Sequence, residues 1–254
     1  MFAICNLSIV PVRKDPSDKS ELVSQLLFGE MVEIVDNKDN WRKIRMLYDD
    51  YYGWVDKKQI ASIGEDDYLK INLSTNYISS DLVQLAIWNN NQLCPLVLGS
   101  SLPLYKDHKF FVGTTGYTFD GNVIELPTKE KRLLENAYMY LNAPYLWGGR
   151  SPFGIDCSGF TQMTFKLSGI PLKRDARDQA EQGETINLIS ESQPGDLAFF
   201  ENEEKKIVHV GIILAGGQII HASGRVRIDR IDHQGIFNEE TKEYTHKLRL
   251  IKRI

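Results

Sequence analysis

Polar turn clusters cut the first half of this chain into apolar runs too short to be helices. Within residues 1–63 the runs cover 7–12, 22–28, 31–35, 41–46 and 53–55. Stretches such as Asp15-Pro16-Ser17-Asp18 and Asp36-Asn37-Lys38-Asp39-Asn40 separate them. Short runs bounded by turn formers read as strands, and several close together read as a small barrel or sandwich. Residues 64–127 continue in the same way. Runs at 82–88, 93–98, 110–112 and 123–126 are broken by Gly113, Gly116 and Asp120-Gly121, and a second small β module is expected there.

The pattern changes after Pro127. Thr128 can cap a helix running to Asn142, with Glu130 in its first turn and Leu133, Leu134, Ala137, Tyr138 and Leu141 at helical spacing. A second helix is predicted after Pro152, with Phe160, Met163 and Leu167 on one face and Gly169 as its stop. Beyond Pro194, strands are predicted over 196–200, 208–214, 218–222 and 247–251. Helices followed by an antiparallel run imply an α+β domain and not a doubly wound sheet. The expected fold class is therefore multidomain: two small all-β modules, 1–63 and 64–127, before an α+β domain over 128–254.

Composition narrows the function classes. A length of 254 residues allows one to three domains, and 42% hydrophobic with 25% charged residues fits a soluble chain with real cores. The formal net charge of −4 leaves no basic excess for a phosphate backbone, so no nucleic-acid partner is expected. No apolar run approaches the ~18–20 residues of a membrane span, so no membrane partner is expected either. Three cysteines, Cys5, Cys94 and Cys157, are odd in number and far apart. They make a poor disulfide framework and a poor metal site; they fit free thiols in a reducing compartment, or one thiol with a task. Residues 1–10 lack a basic start and a small-residue cleavage site, so they read as a strand and not a signal peptide. The expected compartment is the cytoplasm, or the periplasm or exterior if the N-terminus was trimmed.

Cys157 lies at a predicted helix start, in Gly154-Ile155-Asp156-Cys157-Ser158-Gly159-Phe160. Unpaired N–H groups there favour the thiolate, the nucleophilic form. A lone cysteine is more often simply buried, and Cys5 and Cys94 receive only that reading. Two histidines change the balance. His209 and His221 sit on predicted strands joined by Ala215-Gly216-Gly217. A three-residue loop puts Leu214 opposite Gln218 and Gly211 opposite His221, with both histidines on one face; a two-residue loop would put them on opposite faces. A base oriented by a second group needs the shared face. Taken singly, each reads as a satisfied strand histidine. His108, His233 and His246 lie in polar surroundings and read as surface residues.

These segments, in order, are Asp156-Cys157-Ser158-Gly159-Phe160, Pro194-Gly195-Asp196-Leu197-Ala198-Phe199-Phe200, His209-Val210-Gly211-Ile212 and Ile220-His221. Together they resemble the NlpC-type family of papain-like bacterial cysteine peptidases that cut murein peptides. The resemblance implies Cys157 as nucleophile, His209 as general base and His221 as the residue orienting that base, with no metal or organic cofactor. It makes Asp196 a turn former. Trp41-Arg42-Lys43-Ile44 and Gly53-Trp54-Val55 resemble strands of bacterial SH3-like domains. The whole layout is similar to one branch, the γ-D-glutamyl-L-diamino acid endopeptidases that recycle murein peptides with a free N-terminal L-Ala. That branch implies a series of substrate contacts: Asp156 toward the free amine, Ser158 near the γ-D-Glu carboxylate, Tyr145 and Trp147 as cleft walls, and Arg174-Asp175 on the cleft rim. Ala176 stands where some relatives have serine. Tyr51, with Tyr52 as its rival, matches a tyrosine lent by the first SH3-like domain, and Glu21 is a further acidic partner for the amine. Two other classes stand beside this reading: a cell-wall peptide binder with an inactive papain-like domain, and a papain-like amidase or acyltransferase. The intact Cys157, His209 and His221 count against the first, and the lack of an exposed apolar segment for lipid counts against the second.

Overall fold

In the computed structural model, residues 1–88, 91–128 and 132–254 are described, and the chain divides into two units. The first comprises Met1–Lys131, Trp147–Pro152 and Leu167–Ile170; the second comprises Arg132–Leu146, Phe153–Lys166 and Pro171–Ile254.

The first unit opens with a seven-stranded antiparallel sheet. Its order is Leu22–Leu27, Ile9–Arg13, Tyr52–Asp56, Trp41–Met46, Met31–Lys38, Phe2–Ile4, Ala61–Ile63. Alternation does the sorting: Val10 and Val12 point inward to join Ala3, Cys5, Leu26, Val32, Ile44, Met46 and Val55. A helix, Glu65–Leu73, follows where only strands were expected. None of its residues is fully buried, so no apolar stripe announces it. Glu65, Asp66 and Asp67 in its first turn and Lys70 in its last complement the helix dipole. Next comes a four-stranded antiparallel sheet in the order Gln92–Val97, Val83–Trp88, Thr115–Phe119, Lys109–Val112. Val123–Leu126 pairs separately with Asn76–Ser79. Phe28 bridges the two sheets within one core: its ring meets Phe110 and Tyr117 edge-on at 5.5 and 5.3 Å, beside Ile4, Ile63, Ala86 and Leu96.

The second unit is built on another antiparallel sheet. Its order is Glu184–Ile186, Glu243–Arg253, Leu197–Glu201, Ile207–Leu214, Gln218–Ser223, Arg225–Ile231, Gly235–Asn238. Gly235–Asn238 also pairs with Glu243–Arg253, which closes six of these strands into a ring. At the closure a Cβ on Gly235 would collide with the His246 carbonyl, and φ there is +145°. Only glycine fits. The ring encloses Ala198, Phe200, Ile213, Ile219, Ile231, Ile236 and Ile251.

The first expected helix is shorter than its spacing suggested. It spans Leu133–Met139, with Arg132 and not Thr128 at its N-cap and no side-chain cap bond; Glu130 lies outside the described residues. The second spans Cys157–Leu167, and Gly169 follows it at φ +75° as a left-handed stop. Every residue of that helix is buried, not one face of it. Among the described residues no helix is long and apolar enough to cross a membrane.

Candidate active site

The site begins with a helix cap. Asp156 Oδ1 accepts the Gly159 N–H at 2.7 Å, and its carbonyl accepts the Phe160 N–H at 2.9 Å. This fixes Cys157 as the first helical residue. Polar ties then hold the helix. Thr161 Oγ1 donates to Gln179 Oε1 at 2.7 Å, while Gln179 Nε2 donates to the carbonyls of Ser158 and Lys173 at 3.0 and 2.8 Å. Sequence reasoning passed over Gln179, whose amide links the thiol-bearing helix to the segment carrying Arg174.

The Cys157 thiol is 7% exposed and receives backbone N–H groups from Val210 and Ser158. Burial pushes its pKa up to about 12. The Asp156 charge adds to this, while the two N–H groups and Arg174 oppose it. The helix terminus was expected to lower this pKa; desolvation outweighs it.

Strand pairing supplies the histidines. Gly211 stands opposite His221 and Leu214 opposite Gln218, the register of the three-residue loop. His209 and His221 therefore share a face, and His209 Nε2 lies 2.8 Å from His221 Nδ1. A Cβ on Gly211 would come within 2.8 Å of the His221 Cβ, so glycine leaves room for that ring. His221 Nε2 lies 2.9 Å from Asp229 Oδ2, and Arg227 forks onto the same carboxylate at 2.7 and 2.8 Å. Burial would raise the Asp229 pKa, but the hydrogen bonds from His221 and Arg227 hold it below the usual carboxylate range. Asp229 was missed because the strand Arg225–Ile231 was not recognised. Its signal was present: Arg227 stands opposite His221, and Asp229 is two residues along on the same face.

His246 is not a surface residue. It is half-buried, its ring stacks on that of His209 with centroids 4.1 Å apart, and its pKa is lowered to about 4 by burial and then by His221. His209 is held well below the ordinary imidazole range by burial, then by His246 and His221. Ring nitrogens of His209, His221 and His246 lie within 4.8 Å of one another, within reach of one cation. Such an ion would have to replace the 209–221 hydrogen bond; the His221–Asp229 bond and the Thr245 Oγ1–His246 Nδ1 contact at 2.8 Å engage two further nitrogens. The cluster reads as a hydrogen-bonded relay.

Of the expected substrate contacts, Asp156, Ser158 and Arg174 gather beside Cys157. Arg174 is 1% exposed, so it is not a rim residue. Its guanidinium forks onto Asp156 at 2.6 and 3.0 Å and donates to Ser158 Oγ at 2.9 Å. Asp175 is the N-cap residue of the short helix Ala176–Gln179, where its backbone carbonyl accepts the N–H groups of Asp178 and Gln179. Tyr145 is half-buried, and its phenol is pushed up to about 12 by burial, then by the charges of Cys157 and Asp156. Asp196 is held by the Gln193 N–H and an Arg253 fork, as a turn former would be. Trp147, Glu21, Tyr51 and Tyr52 belong to the first unit. There Trp147 Nε1 donates to Glu21 Oε1 at 2.8 Å, and Lys14 pairs with Glu21 at 3.2 Å. Tyr51 is half-buried against the core of the first sheet, and Tyr52 is 53% exposed.

Comparison with known proteins adds independent observations. The model of the NlpC/P60 family matches residues 142–246, and that of the bacterial dipeptidyl-peptidase Sh3 domain matches residues 12–60. The gamma-D-glutamyl-L-lysine dipeptidyl-peptidase of Bacillus subtilis is 32% identical over 219 residues, covering 78% of this chain and 71% of that protein. Dipeptidyl-peptidase 6 of Lysinibacillus sphaericus is 28% identical, covering 92% of this chain and 93% of its own length. The crystal structure of an NlpC/P60 family protein from Bacillus cereus covers 100% of this chain with a TM-score of 0.85. At 21% identity that likeness speaks for the fold alone.

Proposed function

The chain belongs to the NlpC/P60 family and is a cysteine peptidase, and from that premise we propose that it hydrolyses the γ-D-glutamyl-L-diamino acid bond of murein peptides with a free N-terminal L-Ala. The observation that carries the reading is the juxtaposition at Cys157: a buried thiol bound by the Val210 N–H, one residue from His209, whose other side is tied to His221.

In this reading Cys157 Sγ attacks the γ-glutamyl carbonyl carbon while His209 Nδ1 takes up the thiol proton. A buried thiol with a raised pKa beside an imidazole with a lowered one is a neutral pair at rest, so proton transfer accompanies the attack. The backbone N–H of Cys157, at the helix start, and a neighbouring donor stabilise the oxyanion in this reading. Collapse returns the proton to the departing amine of the diamino acid. Water, deprotonated by His209, then cleaves the thioester and restores the thiol.

Asp156, Ser158, Arg174, Asp175 and Tyr145 are assigned to the substrate. Asp156 already carries one compensating charge from Arg174, so a substrate ammonium would enter a shared field and not an empty carboxylate. The relatives' names, dipeptidyl-peptidases, support release of an N-terminal dipeptide and hence a free amine. Residues 64–127 are read as a second SH3-like domain and 128–254 as a papain-like α+β domain. The antiparallel sheet of the former, and the helix leading into a strand ring in the latter, support this.

The test is mass spectrometry of the products from L-Ala-γ-D-Glu-L-Lys, its diaminopimelate analogue, their N-acetylated copies and intact murein. Release of L-Ala-γ-D-Glu from the free peptides, with N-acetyl copies cut poorly, is the expected result. Equal cleavage of all substrates would remove the free-amine requirement, and products cut elsewhere would remove the bond assignment.

A further inference from the structure

We infer that Asp229 is a positioning residue for the proton transfer: acting through His221, it fixes the tautomer in which His209 can accept the thiol proton. The inference rests on the assignment of Cys157 as nucleophile and His209 as base.

The argument runs from charge to hydrogen. Arg227 has only donors, and its Nε and Nη2 occupy both oxygens of Asp229 at 2.7 and 2.8 Å. Asp229 is therefore an ionised acceptor. His221 Nε2, at 2.9 Å from Oδ2, must carry a proton. A neutral imidazole protonated at Nε2 offers Nδ1 as an acceptor, so His209 Nε2, 2.8 Å away, must donate. The lone pair of His209 is then on Nδ1, the nitrogen left for Cys157. One guanidinium thus decides three hydrogen positions. Burial of His209 and His221, at 6% and 1% exposure, keeps water from relaxing the order. Other groups face the same chain. His246 stacks on His209 from the strand Glu243–Arg253, and Glu240 and Asn238 contact Arg227. Asp156, Arg174 and Tyr145 surround the thiol.

Asparagine at 229 cannot satisfy both neighbours. Arg227 presents donors to both of its side-chain positions, and His221 presents a third. In one orientation the Asn amide nitrogen meets Arg227 Nη2. In the other it faces His221 Nε2, inverts that tautomer and puts the His209 proton on Nδ1. Removing Arg227 relieves the conflict, because the Asn oxygen can then accept from His221.

The experiment uses the full chain with two readouts: turnover of the free murein tripeptide, and the pH profile of Cys157 alkylation by iodoacetamide, which needs no substrate. Asp229→Asn should lower kcat by roughly 10–100-fold with KM little changed, less than the ~10⁴ that a direct tautomer partner is worth in a serine triad. Its alkylation rate at a given pH should fall by roughly 3–10-fold, because the imidazolium that forms as His209 takes the thiol proton no longer has a negative charge behind it. The double variant Asp229→Asn with Arg227→Gln should recover part of kcat. Long-range ¹H–¹⁵N NMR of the wild type reads the tautomers without any variant, and Nε2–H is expected on both His209 and His221. A wild-type kcat and profile in Asp229→Asn would overturn the inference, as would Nδ1–H on His221. A His209→Ala profile identical to wild type would strike the assignment of His209 instead, leaving the tautomer of His221 to be read by NMR.

Discussion

Cys5 and Cys157 are both thiols enclosed by protein, and burial raises the pKa of each. Backbone hydrogen bonds pull both pKa values back down, from Leu7 in one case and from Val210 and Ser158 in the other, so what separates the two is the rest of each sulfur's surroundings. Cys5 Sγ donates to the Leu7 carbonyl at 3.2 Å, inside the core of the first sheet. Cys157 Sγ receives N–H groups, sits at a helix start, and has an imidazole on the neighbouring strand. Those features welcome the sulfur once it has lost its proton. Burial therefore does not mark a thiol as inert or active; a helix start and a base within reach do.

The largest expected effect is on turnover. Cys157→Ala should lower peptide hydrolysis on the order of 10⁴-fold or more with the fold intact by circular dichroism, whereas Cys5→Ser should leave kcat within about twofold. Next comes the base. His209→Ala should cost about 10²–10⁴-fold in kcat, and it should slow iodoacetamide labelling of Cys157 while leaving that of Cys5 unchanged. Equal slowing of both would dissolve the distinction drawn between them. A smaller effect concerns pH. The folded pKa of His246 is lowered to about 4 from 6.5, so the unfolded chain binds the extra proton first. Stability should fall as pH drops from 6.5 toward 4, and His246→Phe should flatten the Tm profile in that window without changing it above. The smallest effect is local to Cys5: Cys5→Ser exchanges a weak buried donor for a strong one, and should shift stability by roughly 1 kcal/mol or less as the hydroxyl keeps the Leu7 carbonyl.

Strands and the histidine hairpin were legible because period-two alternation and turn chemistry are local. The register placing Gly211 opposite His221 follows from a three-residue loop alone. The start of the helix at Cys157 was equally local. What was not legible depends on distant partners. Glu65–Leu73 buries no side chain fully, so its periodicity is silent. His246 sits among polar neighbours in sequence, and only closure of the strand ring brings it onto His209. Arg174 reads as a rim residue until Asp156, eighteen positions earlier, is found under its guanidinium. Asp229 required a strand that its charged residues disguised: among Arg225, Arg227, Asp229 and Arg230 the buried apolar residues Val226 and Ile231 are five apart, so no period-two alternation shows.

A sulfur kept protonated while idle has a consequence for durability. Peroxides and disulfides attack the thiolate, and a thiol is a far slower target. With its pKa pushed up to about 12, Cys157 presents oxidants with very little of the reactive form between turnovers. It becomes nucleophilic only at the moment a carbonyl is in place to receive it and His209 to take its proton. The burial that slows its ionisation also preserves it through oxidative exposure that would consume a more acidic thiol.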